Sequence, residues 1–423
     1  MGTAEISPLL DNPARRLSSA TAESGAMRRR AKSGAGAMRR PSEHKRPSKR
    51  RKARSALRRF KNFALKHTWT IPLLLMVPFA VAYAANPTES NPVHPFIFPS
   101  YKLDNHADPA APAQYGKGLW DVAFVCFYTI VLSFTREFIM QELLRPLAQA
   151  SGIASRGKQQ RFMEQMYTAV YFGIMGPVGI YVMRRTPVWY FNTRGMYENF
   201  PHRTHEAEFK VYYLFQAAYW TQQAIVMVLG LEKRRKDFKE LVGHHIVTLA
   251  LIALSYRFHF TYIGIAVYLT HDLSDFFLAT SKSLHYVNSR FVGPYFALCI
   301  GMWIYLRHYL NLRILYSLLW EYREVGPYGT DFETGQYKGV LSNVVTFALL
   351  ASLQSLNLFW LYCLFRAAYK FVVLNIAKDD RSEDDEEEEQ EGDSGGKPVD
   401  GVSTGVQVNG DASAVATKRN GSL

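Results

Sequence analysis

Residues 244–275 read HHIVTLALIALSYRFHFTYIGIAVYLTHDLSD. Two adjacent histidines open the stretch, and a His-Asp pair with a second aspartate closes it. Nearly everything between is apolar or aromatic. The stretch divides into two spans, KELVGHHIVTLALIALSY (239–256) and TYIGIAVYLTHDLSDFFLATSKSL (261–284), with a turn near Phe258–His259. So short a turn makes the helices pack antiparallel as a hairpin. His245 lies 13 residues before Phe258, and Asp272 lies 13 residues after His259. At about 1.5 Å per residue both stand about 20 Å from the turn. Histidines and aspartates therefore meet at one depth in the membrane.

Helical spacing refines this placement. His271 and Asp275 are four residues apart and Asp272 and Asp275 three, so all three share one face. His244 and His245 diverge by about 100°, so at most one aims straight at that face. Thr248 sits one turn beneath His244, and Ser274 and Lys282 continue the polar content of the second helix. Three readings follow. The groups lock two helices by hydrogen bonding. They form a nucleophile and base with orienting carboxylates. Or they bind zinc or iron. Ionisable groups are costly in a bilayer and are usually tied to function, which favours chemistry over a lock. Adjacent histidines seldom chelate together, and the multi-cluster histidine boxes of membrane di-iron enzymes are absent, so no metal is expected.

The rest of the chain fits a membrane setting. The 423 residues carry a net charge of +14, with 48% apolar residues and a mean hydropathy of −0.12. Those averages hide unlike regions. Residues 28–66 hold 17 Lys/Arg against one acid, and residues 379–393 hold 11 Asp/Glu against one base. Between them, apolar runs recur at about the length a bilayer requires. The expected fold is all-α and polytopic, with spans near 68–85, 119–140, 162–183, 211–230, 240–257, 261–284, 292–320 and 342–374, about eight in all. A basic tail in the cytosol places 141–161, 231–239 and 285–291 there too. LEKRRKDFK (231–239) has five Lys/Arg in nine residues, whereas 86–118 has two lysines, so both termini are expected to be cytosolic. The segment 184–210, with Arg184, Arg185, Arg194, Arg203 and Lys210, fits this orientation poorly.

The seventh span carries Arg307, His308, Asn311 and Arg313. A cationic stripe of this kind either holds an anionic group or pairs with Asp272 or Asp275. Cys126, Cys299 and Cys363 each sit in an apolar run and read as packing residues. No cleavable signal peptide is visible. RRPS (39–42) and SEDD (382–385) resemble kinase sites at Ser42 and Ser382, where phosphate would change local charge. The basic arm suits anionic lipid headgroups or a topology anchor. Nothing points to nucleic acid.

RKDFKELVGHHIVTLALIALSY and THDLSDFFLATSKSLHY together closely resemble the Lag motif (about 236–286) of ceramide synthases, within the membrane domain called TLC. His244 and Asp272 are separated by 28 positions. PVWYFNTRGMYENFP, YYLFQAAYWTQQAIVMVLGLEKRRKDFKELV, EYREVGPYGTDFETGQYK and LQSLNLFWLY look like fungal members of the family. The resemblance covers about 60–375. It implies six or seven helices bundled around a central apolar cavity. It implies transfer of a fatty acyl group, of very-long-chain type in fungal relatives, from acyl-CoA to the amine of a sphingoid base.

On that resemblance His244 is the reacting ring and His245 the second candidate for the base. Asp272 and Asp275 orient it or accept protons, and His271, Ser274, Thr248 and Lys282 support them. A histidine serves either as general base or as acyl acceptor. Lys233, Arg234 and Arg235, with Arg307, His308 and Asn311 deeper, are candidates for the phosphates of CoA. No further cofactor is implied. A small accessory membrane subunit, a homo- or heterodimer and an endoplasmic reticulum location are implied, and the loop 321–340 is where the family tunes chain length. The expected organisation is a basic cytosolic tail (1–67), a first span with a lumenal loop (68–118), a catalytic membrane domain (119–378) and an acidic tail (379–423). Alternatives are a non-catalytic TLC-domain lipid carrier or translocon component, and a metal-dependent lipid hydroxylase.

Overall fold

A computed structural model describes residues 67–103, 111–232 and 234–373, together with Arg59 and Phe63. Both charged tails, Ser42, Ser382 and Lys233 lie outside the described residues.

Among the described residues, eight helical stretches lie where the apolar runs fall. They are α1 (Thr70–Ala85), α2 (Trp120–Ala150), α3 (Arg156–Arg184), α4 (Ala207–Val228), α5 (Phe238–Arg257), α6 (Thr261–Tyr286), α7 (292–319) and α8 (Val340–Val373). α2 runs ten residues beyond its expected end, through a π-helical segment at Ile139–Leu144, so most of the expected connection 141–161 is helix. A second π-helical segment, Ile304–Leu310, interrupts α7 where Arg307 and His308 stand. The expectation of an all-α fold needs one amendment. Gln114–Tyr115 pairs antiparallel with His205–Glu206 in a two-residue ribbon.

Among the described residues, α2, α3, α5 and α8 are long and apolar enough to cross a membrane. α4 and α6 fall short for a physical reason: they are the inner helices and carry the polar cargo. α6 buries Thr270, His271, Asp272, Ser274, Ser281 and Ser283. α4 buries Lys210, Gln216 and Gln222. α5 is the reverse case. Its only buried residues are His244 and His245, and the rest of its length keeps some exposure. The sequence of α5 thus presents two imidazoles inward and an aliphatic surface elsewhere.

Close approach of α3 to α6 depends on small residues. A methyl group added at Gly179 would lie 2.4 Å from the Tyr212 hydroxyl and 2.6 Å from Leu269 Cδ2. Small residues at such contacts are how helices pack in lipid. The main core lies between these helices and includes Phe172, Tyr213, Tyr219, Ile265, Leu269 and Leu353. The hairpin turn is as short as expected. α5 ends at Arg257 and α6 begins at Thr261, with His259 at φ 69° and Phe260 N–H donating to Ser255 O at 2.8 Å.

A buried ionic clasp holds this end of the bundle. Lys210, wholly buried, donates to Asp121 Oδ1, Ser100 O and Gly116 O, each at 2.7 Å. Tyr256 Oη donates to the other Asp121 oxygen at 2.8 Å. Arg185 pairs with Glu206 at 3.0 Å and Glu208 at 2.9 Å. Two of the cations that fit the charge rule poorly thus have acidic partners, Lys210 inside the fold and Arg185 at its surface. Removing one partner of a buried pair costs about 3–5 kcal/mol. Lys210→Met is therefore expected to lower thermal stability sharply in detergent. A melting curve matching that of the unsubstituted protein would contradict this.

Candidate active site

Two cavities meet at His244, the first of the paired histidines. The first, about 360 Å³, is walled by α4, α5, α6 and α8, and its lining includes Thr248, Leu251, Val267, Tyr268, Leu349 and Leu353. It reaches Thr330, Phe332 and Tyr337 of the loop before α8. The second, about 200 Å³, is lined by Glu164, Gln165, Thr168, Gln223, Glu232, Arg235, His245, Asp275, Lys282 and Arg307, among others. Among the described residues, His244 and Trp220 line both. One cavity is oily and one polar, and an imidazole stands where they join.

His244 is held by aromatic edges. Its ring centroid lies 5.7 Å from that of Trp220 and 5.2 Å from that of Trp360, both near perpendicular. Trp360 Nε1 donates to Asp237 Oδ2 at 3.2 Å, and Arg235 grips Asp237 with bonds of 2.9 and 2.8 Å. The segment before α5 therefore braces the residue that braces His244. Thr248 Oγ1 lies 3.5 Å from His244 Nε2, one turn below as expected. Among the described residues, His244 Nδ1 and His245 Nδ1 are buried without a hydrogen-bond partner. Buried polar atoms left unpaired in a folded protein point to a missing ligand, water or catalytic use.

The aspartates do not bond the imidazoles that the resemblance has them orient. Neither Asp272 nor Asp275 hydrogen-bonds to His244 or His245 among the described residues. Asp275 Oδ1 instead accepts from Arg307 Nη2 at 2.6 Å. Arg307 also donates to Ser274 Oγ at 2.6 Å and Asn357 Oδ1 at 3.0 Å, and its guanidinium lies 4.1 Å from the Trp303 ring centre. Asp272, wholly buried, accepts from Gln216 Nε2 and, at 3.4 Å, from Tyr212 Oη. His271 turns to Thr270, Val267 O and Asn357. The three polar groups of α6 are thus dispersed: His271 lines the apolar cavity, Asp275 the polar one, and Asp272 neither. The cause is competition. Arg307 from α7 and Gln216 from α4 reach the carboxylates first, and an unpaired buried carboxylate would cost far more than a missing imidazole contact.

The outer candidates divide as well. Both histidines line the polar cavity, not one alone. Lys282 and Arg307 line it too, and so does Arg235, although its guanidinium is committed to Asp237. His308 and Asn311 line neither cavity; both bond Gln354 of α8 at 2.7 Å. Arg234 lies 5.0 Å from the Phe238 ring centre and lines neither. Trp220, Trp360, Gln216 and Asn357 were missed by the sequence reading. The two amides had a usable signal, as polar residues inside apolar runs. The two tryptophans had none, since aromatic residues abound in such helices.

A family model described as the TLC domain matches residues 161–366, the stretch that carries both cavities. Curated relatives narrow this. A sphingosine N-acyltransferase-like protein of Gibberella moniliformis is 57% identical over 332 residues, covering 78% of this chain and 86% of that protein. A ceramide synthase of Saccharomyces cerevisiae is 46% identical over 326 residues, covering 77% and 78%. A sphingosine N-acyltransferase of Schizosaccharomyces pombe is 44% identical over 348 residues, covering 81% and 88%. The chain belongs to the ceramide synthase (sphingosine N-acyltransferase) family of TLC-domain membrane proteins.

Proposed function

We propose that this protein is a ceramide synthase that transfers a fatty acyl group from acyl-CoA to the amine of a sphingoid base, with His244 as the acyl acceptor. One observation carries the assignment: His244 alone among the ionisable residues described lines both the oily cavity and the polar one. The acyl chain occupies the first cavity and places its thioester at the junction. A nitrogen of His244 attacks the thioester carbonyl, the C–S bond breaks, and CoA leaves as its thiol, taking the proton that the acylated imidazole gives up. The amine then attacks the acyl-imidazole, the C–N bond to histidine breaks, and the proton lost by the amine passes through His245 to the departing His244 nitrogen, restoring the neutral imidazole. The products are an N-acylated base and free histidine, with acyl-CoA as co-substrate and no resident cofactor.

In this scheme Asp275 and Asp272 act at one remove. They fix α7 and α4 against α6 and so shape the cavity behind the histidines. Lys282, Arg307 and Arg235 supply positive charge to the polar cavity, where the phosphates of CoA enter. Eight spans, both termini in the cytosol, an endoplasmic reticulum location and a catalytic membrane domain over 119–378 follow from the same reading. So do a very-long acyl chain, a small accessory membrane subunit and a dimer. The test is direct: purified protein given acyl-CoA and a sphingoid base forms ceramide. Turnover that requires neither a free amine nor a thioester would end the assignment.

A further inference from the structure

The polar cavity has two kinds of charged wall. Its cations, Arg235, Lys282 and Arg307, come from the segment before α5 and from α6 and α7. Its acids, Glu164 and Glu232, come from α3 and the loop after α4, and each is paired with an arginine. Glu164, 6% exposed, accepts from Gln160 at 3.0 Å and Arg161 at 3.3 Å. Arg136 pairs with both Glu137 and Glu232. Three carboxylates thus share two guanidiniums in this network. Asp275 is paired with Arg307. Beside Glu164, the neutral hydrogen-bonding groups Gln165, Thr168 and Gln223 line the same cavity. His245 lines it as well, is 7% exposed, and makes no hydrogen bond from either ring nitrogen among the described residues.

A polyphosphate needs only the cationic wall. The carboxylate wall is explained by the second substrate. A sphingoid base carries an ammonium flanked by hydroxyls, the chemistry that a buried carboxylate with amide and hydroxyl neighbours recognises. We propose that Glu164, with Gln165, Thr168 and Gln223 around it, forms the subsite that binds the ammonium headgroup of the sphingoid base beside His245. The inference rests on the acyl-transfer reading above. It assigns binding, and leaves His245 to take the proton once the amine is in place.

Glu164→Gln keeps the shape and the contact with Gln160 and removes the charge. Loss of one charge-assisted contact to an ammonium is expected to raise the KM for the sphingoid base about tenfold or more, with the KM for acyl-CoA within about twofold of the original. Glu164→Asp, which keeps the charge, is expected to recover most of the loss. A sphingoid-base KM unchanged in Glu164→Gln would overturn the subsite. Equal rises for both substrates, or no recovery in Glu164→Asp, would reduce Glu164 to a structural residue and overturn it equally. If the unsubstituted protein makes no ceramide at all, the reaction itself is wrong, a result distinct from these.

Discussion

Alanine at His244 is expected to lower kcat/KM for ceramide formation by about 10³-fold or more, with the protein still folded. The size follows from its position. Trp220 also lines both cavities, but it has no nucleophile, and His245 reaches only the polar cavity. Removing His244 leaves the thioester with no attacking group at the junction. Folding should survive, because among the described residues the ring makes one polar contact, a long one of 3.5 Å to Thr248, and its Nδ1 has no hydrogen-bond partner. His245→Ala is expected to be less severe, since the amine retains other routes for its proton once an acyl-imidazole has formed. A His244→Ala protein within tenfold of full activity would remove the ring from the reaction.

The second large effect is at Arg307. Its guanidinium is 2% exposed and binds Asp275, Ser274 and Asn357, joining α6, α7 and α8 at the level of the histidines. Arg307→Met leaves Asp275 without its cation, at a cost of about 3–5 kcal/mol. The expected result is a protein that melts well below the original and makes little ceramide. Pairing it with Asp275→Leu removes both charges together. Isosteric apolar replacement of a buried ion pair is often neutral or better, so the double variant is expected to recover most of the stability. Activity is expected to stay low, because Arg307 also charges the cavity wall. Full activity in the double variant would show that the pair serves packing alone.

The hairpin shows how far sequence carries a membrane protein of this kind. Two apolar runs and a short turn set the expectation that His245 and Asp272 stand at one level, because helix rise is fixed, and the fold brings His245 and Asp275 onto one cavity wall. Helix ends were legible wherever apolar character ended with the helix, as at Arg257 and Thr261. They were not at α2, whose polar last turns, Gln141 to Ala150, stay helical past the apolar run. Depth was legible but partnership was not. Which group reaches Asp275 is settled by rotation of α7 and by its π-helical segment, neither of which leaves a periodic trace. The same holds for Gln216, which takes Asp272 from another helix. Arg307 could be read as a phosphate ligand or as a partner of Asp275, and the fold makes it the latter while keeping it on the cavity wall.

The adjacency of the two histidines also takes on a different meaning. Spacing implies that they diverge and that at most one aims straight at the acidic face. The fold turns both inward by making them the buried residues of α5. The divergence then becomes a division of labour, with His244 at the junction and His245 on the polar side.

Intact mass of the purified protein after exposure to acyl-CoA alone, with no sphingoid base, tests the central claim most directly. The protein is expected to gain the mass of one acyl group, to localise it to the peptide containing His244, and to lose it on addition of the base with release of ceramide. His244→Ala is expected to gain nothing. No added mass under rapid trapping, or the same added mass in His244→Ala, would contradict His244 as the acyl acceptor.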